Sequence, residues 1–349
     1  MTFVDLRHIH RLALARCAPD VLVRQHVRAD MPHHVVAIGK AAGALLDGVA
    51  AVHRVDSAFV AIPEGYRLPS ASANVYVGGH PHITRASFAA GRALLDYVDA
   101  HDDILFLISG GGSACVEVAL PPFTEGEITD ANARLIRSDL AIGAINAERR
   151  RMSAIKGGKL AARVRGRAVT LVYSDVSTGA LHDVASGPTL PGSSPILVAD
   201  NTTLVRAVAE ILGDAAVTIE KQIEGDVGDA ARLLAARARA LKSGQILVAG
   251  GEPVVAVRGG GRGGRCSELA VRFGLECGFP ALFAGSDGVD GNSGAAGFVL
   301  PRRAPGAPAG WQSALERSDS YSVALQMGEP IMIAPTGSNL RDLFLVACL

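Results

Sequence analysis

Apolar runs in this chain repeatedly end in small, polar or charged residues: Gly39-Lys40, Ser109-Gly110-Gly111-Gly112-Ser113, Ser174-Asp175, Gly250-Gly251-Glu252, Gly285-Ser286-Asp287 and Pro335-Thr336-Gly337-Ser338-Asn339. Such recurrence exceeds what turn-making alone requires, and in open α/β sheets ligands bind outside the carboxyl ends of strands. A turn without side chains lets anionic oxygens reach backbone N–H groups. Lys40 and Arg265 are cations placed beside such turns. Cations that neutralise a migrating group, with carboxylates that hold Mg²⁺, are what phosphoryl transfer demands. Each residue also has a plainer reading: Lys40 as a surface lysine, Arg265 as a fold-turn cap, Asp175 and Asp287 as helix N-caps.

Other chemistries match less well. The run GGGRGGRCSE (259–268) contains Gly259-x-Gly261-x-x-Gly264, but five glycines make that match nearly automatic, and no clear acid follows about twenty residues later. Gly39-Lys40 is followed by Ala41, and His34 stands where a Walker A loop needs its first glycine. His33, His34, His80 and His82 do not have the spacing of a metal-binding motif.

The elements that must position these residues alternate along the chain. Strands are expected at 34–40, 58–63, 74–79, 103–109 and 168–176, and helices at 41–52, 87–100, 127–144 and 152–164, the last broken by Gly157 and Gly158. A Gly/Pro/Ser-rich loop spans 186–195, helices follow near 201–213 and 227–241, and a second α/β pattern occupies 245–253, 256–276, 281–291 and 331–339. The alternation predicts an α/β fold with a mostly parallel sheet. A length of 349 residues predicts two domains, divided here as 1–240 and 241–349.

Composition narrows the partners. Lys+Arg and Asp+Glu balance at 34 each and aromatics are only 5%, so neither polyanion attraction nor base stacking is favoured. No nucleic-acid or membrane partner is expected. The N-terminus carries charges where a signal peptide needs an apolar core, and five irregularly spaced cysteines suit a reducing cytoplasm.

The motifs IGKAAG, GGHP, LISGGGSA, SAIKGGKLA, SDVSTGALHDVASGPTLP, VAGGEPVV, GGRCSELAV, GSDGVDGNSGAAG and PTGSNLRDL, in this order, resemble the class II glycerate kinases, which join an N-terminal glycerate-kinase region to a C-terminal MOFRL region. The resemblance implies a Rossmann-like parallel-sheet N-terminal domain, a smaller α/β MOFRL-type domain, and an active site in the cleft between them. It implies ATP as donor, Mg²⁺ as cofactor and a small-molecule acceptor such as D-glycerate; a monomer or homodimer is expected. Lys40 and Arg265 become the catalytic candidates. Ser109, Gly110, Gly111, Gly112, Ser113, Lys156, Ser174, Asp175, Glu252, Glu268, Asp287 and Asn339 become candidates for binding substrate or nucleotide, with Asp175 and Asp287 as metal ligands; Glu252 and Asp290 are also eligible for metal. Family members are often labelled hydroxypyruvate reductases, a chemistry that the missing nicotinamide fingerprint disfavours.

This chain departs from the family pattern in NAERRRMS (146–153), where Glu148, Arg150 and Arg151 replace an apolar residue, a lysine and a histidine. In SDVSTG, Thr178 and Gly179 take the places of a glycine and an aspartate; in GGRCSE, Cys266 and Ser267 replace amide side chains; an acid is lost at Gly294. These changes predict retained phosphoryl-transfer machinery with an altered acceptor, for which Arg150 and Arg151 would supply an anion contact, and the mostly deleted helical stretch after SGPT would fit a bulkier one. Another group-transfer or lyase reaction, or a non-catalytic nucleotide-binding scaffold, are the alternatives.

Overall fold

The computed structural model describes residues 5–138, 140, 142–177, 179–302 and 307–348. The chain divides into two compact units: Ala18–Asp200, and the remainder, which ends its first pass at Cys17 and resumes at Asn201. The expected division at 240 falls inside the second of these units. The helix Leu6–Arg16 packs on Asn201–Leu212, so the N-terminal segment belongs with the C-terminal unit.

The unit 18–200 is built on a parallel sheet of β1 (His34–Ile38), β2 (Ser57–Pro63), β3 (Asn74–Gly78), β4 (Ile104–Ser109), β5 (Ala168–Tyr173) and β6 (Pro195–Ala199), in the order β3-β2-β1-β4-β5-β6. β1, β2 and β4 are apolar and almost wholly buried, as befits strands covered on both faces. This is the Rossmann order, and its topological switch point lies between β1 and β4. The two strands therefore deliver Gly39-Lys40 and Ser109–Ser113 to one place.

Local chemistry moves several element boundaries. The stretch expected as one helix over 127–144 contains two, Glu125–Ile136 and Ile142–Met152. The first begins early because Thr124 and Glu127 form a capping box, with Thr124 N donating to Glu127 Oε2 at 2.8 Å and Glu127 N to Thr124 Oγ1 at 3.3 Å. The helix expected over 152–164 does not form, apart from a 3₁₀ turn at Ala161–Arg163. Gly157 and Gly158 adopt φ of +65° and +82°, which breaks a right-handed helix.

The second unit carries β7 (Ala216–Thr218), β8 (Ile246–Gly251), β9 (Ala281–Gly285), β10 (Gly297–Leu300), β11 (Glu329–Ile331) and β12 (Asp342–Ala347), ordered β11-β10-β9-β12-β8-β7. Here the expectation of a mostly parallel sheet fails. β12 runs antiparallel to both β8 and β9, β10 is antiparallel to β9 and β11, and only β7 and β8 pair in parallel. The wholly buried segment DLFLVA enters the sheet centre beside β8 and β9. Phe273, Phe283 and Phe344 pack with tilted rings in its core, with centroids 5.2 and 6.1 Å apart. All five cysteines are free thiols. Among the described residues, no helix is long and apolar enough to cross a membrane.

Candidate active site

In the unit 18–200, the switch point is built by close backbone approach. Lys40 N donates to Gly110 O at 2.8 Å, tying the turn after β1 to the turn after β4. Gly39, at φ +113°, lies so near this turn that a Cβ would stand 2.3 Å from Ser109 O. A Cβ on Gly110 would lie 1.7 Å from Asp175 Oδ2, so the missing side chain is the space that Asp175 fills. A Cβ on Gly111, at φ +79°, would meet Lys40 Cγ at 2.8 Å. A Cβ on Gly112 would meet Ala185 Cβ at 2.7 Å. The triple glycine thus admits Asp175, Lys40 and Ala185 around one turn, and the Lys40 ammonium lies 5.6 Å from the Tyr66 ring centroid.

Several residues expected to bind ligand here instead brace the turns. Ser109 is buried; its hydroxyl accepts from Ala41 N at 3.1 Å and donates to Ile38 O at 3.2 Å. Ser174 is buried, and its Oγ accepts from Val176 N at 3.4 Å. Lys156 is the clearest correction. Its Nζ is ion-paired to Glu117 Oε2, and both side chains are only 2% exposed. Burial removes it from any ligand surface and fits a structural role.

Ser113 opens a different network. It shares a 2.7 Å hydrogen bond with Ser186 Oγ, which donates to Asn146 Oδ1 at 3.0 Å. Asn146 Nδ2 donates to Asp183 Oδ1 at 3.1 Å. Ala185 and Ser186 hold φ of +52° and +61°, a strained conformation for residues with a Cβ. Arg150 clamps this strained turn by donating to Ser186 O, His182 O and Asp183 Oδ1 at 3.2, 2.8 and 2.5 Å. Arg151 pairs with Glu148 and stacks 4.7 Å from the Phe123 centroid. Both arginines expected to contact an acceptor are thereby committed elsewhere. Thr178 lies outside the described residues, and Gly179 adopts φ +91°.

In the second unit, Arg265 begins the helix Arg265–Glu276. It grips Asp342 in a two-pronged contact, Nε to Oδ2 at 2.6 Å and Nη2 to Oδ1 at 2.8 Å, and reaches Glu252 Oε1 at 3.2 Å. Burial acts to lower the guanidinium pKa, but the charges of Asp342 and Glu252 outweigh it and raise it. Asp342 is wholly buried, and that burial pushes its carboxyl up to about 6 against the pull of Arg265. Arg341, at φ +62°, spans Glu252, Gln222 and Glu224. Asp342 and Arg341 were missed as site residues; the signal was an acid and a cation opening the apolar run LFLVA.

Arg265, Glu252, Glu268 and Arg341 line a cavity of about 630 Å³ floored by Gly259–Gly261 and Gly263-Gly264. Glu268 is bound along its own helix to Arg272 at 2.7 Å. Asp287 is buried beside β9, where its Oδ1 accepts from Val289 N at 3.0 Å. Asn339 Oδ1 accepts from Arg341 N at 3.3 Å. Asp290, eligible for metal by sequence, uses both carboxylate oxygens to cap the helix, accepting from Cys266 N at 2.8 Å and Ser267 N at 2.9 Å. Cys266 packs in the core and Ser267 is fully buried against Ser320. The replacements in GGRCSE therefore face the interior, and they do not rebuild an acceptor pocket. Among the described residues, no group of three His, Cys, Asp or Glu side chains converges to hold a metal ion.

A doubly wound unit with a bare turn at its switch point, joined to a mixed-sheet unit with an arginine-headed helix, defines a two-domain α/β architecture. Residues 5–223 match the family described as "Domain of unknown function (DUF4147)", and residues 245–342 match the MOFRL family. The chain is 30% identical to the D-glycerate 2-kinase of Thermotoga maritima, over 78% of this chain and 79% of that one. It is 28% identical to a putative hydroxypyruvate reductase of Agrobacterium vitis, over 97% of this chain and 92% of that one. The crystal structure of glycerate kinase from Thermotoga maritima superposes with a TM-score of 0.85, at 26% identity and 98% coverage of both chains. The chain belongs to the class II glycerate kinase family, with its DUF4147 and MOFRL regions in that order.

Proposed function

We propose that this protein is an ATP-dependent kinase that phosphorylates a hydroxyl of D-glycerate. Its relatives include glycerate 2-kinases from Thermotoga maritima, Sulfurisphaera tokodaii and Pyrococcus horikoshii, at 26–30% identity over most of the chain. The observation that carries the reading is the switch-point turn, where Gly110 yields its side-chain space to Asp175 and Gly111 packs on Lys40. A cation and a carboxylate thus adjoin a turn that anionic oxygens can approach.

In the reaction, the acceptor oxygen forms a bond to the γ-phosphorus while the bond from that phosphorus to the β–γ bridging oxygen breaks. The acceptor hydroxyl loses its proton and ADP leaves. Lys40 offsets charge on the transferring group, and the turn 110–112 offers backbone N–H groups to its oxygens. Within the other unit, Asp342 and Glu252 hold Arg265 as a preorganised cation. Mg²⁺ bound to the nucleotide would neutralise phosphate charge. It needs only one or two protein carboxylates, one of which Asp175 can provide.

The change of acceptor inferred from the departures loses its footing. Arg150, Arg151, Cys266 and Ser267 all have structural occupations. Hydride transfer is disfavoured because Gly259-x-Gly261-x-x-Gly264 does not directly follow a strand: β8 ends at Gly251. Incubation with Mg-ATP and D-glycerate should release ADP in proportion to phosphorylated acid. Release of no ADP, together with hydroxypyruvate-dependent oxidation of NADH, would overturn the kinase reading. A cytoplasmic setting and a monomer or homodimer complete the proposal, the first tested by fractionation and the second by light scattering.

A further inference from the structure

Of the three consecutive arginines 149–151, Arg149 is the one with an unmet bond. Its Nη2 donates to Asn132 Oδ1 at 3.1 Å, while its Nε is buried with no hydrogen-bond partner among the described residues. A buried donor without an acceptor is costly. Glu117 attracts Arg149 electrostatically, but its oxygens already accept from Lys156, Ser153 and Val118.

The guanidinium is also held in place. Asn132 uses its other arm to donate to Pro81 O at 3.2 Å, fixing Arg149 to the turn Gly79-His80-Pro81. That turn follows Gly78, where a Cβ would stand 1.9 Å from Cys115 O, so it rests on the segment leaving the triple glycine. His80 keeps part of its surface exposed. Local desolvation, with the charges of Lys40 and Arg149, lowers its pKa to about 4. At neutral pH it is an uncharged imidazole whose N–H can donate.

We propose that Arg149, braced by Asn132, and His80 form the subsite that grips the carboxylate of the hydroxy-acid acceptor beside Lys40. A guanidinium fork matches a carboxylate's two oxygens, and the Arg149 Nη groups beyond the Asn132 bond would meet an acid. This subsite would make the enzyme select acids over neutral polyols. The inference rests on the kinase reading and adds the group by which the acceptor is chosen.

Calorimetric titration of the full chain tests it without requiring turnover. Arg149→Met should weaken D-glycerate binding on the order of 10²-fold, as loss of one partner of a desolvated charge pair does. Arg149→Lys should recover part of that loss, and ATP affinity should stay within about threefold of wild type. Loss of ATP affinity with D-glycerate binding retained would assign Arg149 to a nucleotide phosphate and overturn the inference. Unchanged affinity for both ligands would also overturn it.

If Arg149→Met does not fold, competition on the wild type decides the matter. D-lactate should displace D-glycerate and propane-1,2-diol should not; equal displacement by both would overturn the subsite. Wild-type protein that binds D-glycerate through Arg149 but forms no ADP would instead refute the kinase reading and leave the carboxylate subsite standing.

Discussion

Lys156 separates a structural lysine from a catalytic one, and its replacement has a calculable cost. Its Nζ and the Glu117 carboxylate form an ion pair with 2% exposure on each side. Glu117 Oε1 also accepts from Ser153 Oγ at 2.5 Å and from Val118 N at 2.9 Å. Ser153 Oγ in turn accepts from Ile155 N at 3.2 Å, so the pair anchors the chain entering the Gly157-Gly158 turn. Lys156→Met would leave Glu117 its two hydrogen-bond donors and the attraction of Arg149, but without its ion-pair partner. Breaking such a buried pair costs about 3–5 kcal/mol. At ~2–4 °C per kcal/mol for a unit of this size, the melting temperature should fall by roughly 6–20 °C. The double variant Lys156→Met with Glu117→Leu should recover most of the loss, because both charges then leave the interior together. Thermal unfolding by circular dichroism, with calorimetric binding of ATP and D-glycerate below the transition, measures both sides. A Lys156→Met protein that melts like wild type but fails to bind either ligand would refute the structural assignment.

Other outcomes follow from the same geometry. Gly110→Ala places a methyl 1.7 Å from Asp175 Oδ2, so the carboxylate must move; kcat should fall on the order of 10²-fold with less change in melting temperature, as coupled ADP kinetics would show. His10 is 3% exposed, with Nε2 buried and unpartnered among the described residues, and burial lowers its pKa to about 4. The unfolded chain gains this proton near pH 6.5 and the folded chain only near pH 4. The stabilisation is therefore complete above pH 6.5 and falls by about 3 kcal/mol as pH drops to 4. Urea unfolding across that range should show this slope in wild type and a reduced one in His10→Phe.

Much of the fold was legible because its signals are local. The buried strands HVVAI, AFVAIP and ILFLIS are short apolar runs bounded by turn residues, and each lies where the pattern places it. The switch-point turns were legible because glycine has few other reasons to cluster after a strand. Partners distant in sequence were not. Asp342 lies 77 residues from Arg265, and only the antiparallel insertion of β12 between β8 and β9 brings them together. The same blindness explains Lys156, whose motif looks like a ligand loop but whose side chain turns inward to Glu117, 39 residues away. Arg150 and Arg151 looked available as a run of charge, because sequence does not show Asp183 and Phe123 waiting for them. The unit boundary was hidden too: a helix at 6–16 that joins the C-terminal unit cannot be inferred from chain order.

The most direct test is phosphorus NMR of a mixture of Mg-ATP, D-glycerate and the full chain, run beside Lys40→Ala. The expected result is a new phosphomonoester resonance that grows with ADP in wild type, depends on D-glycerate, and is slowed on the order of 10²-fold or more in the variant. Absence of that resonance with wild-type protein that binds both ligands, or its equal growth with Lys40→Ala, would contradict a phosphoryl transfer assisted by Lys40.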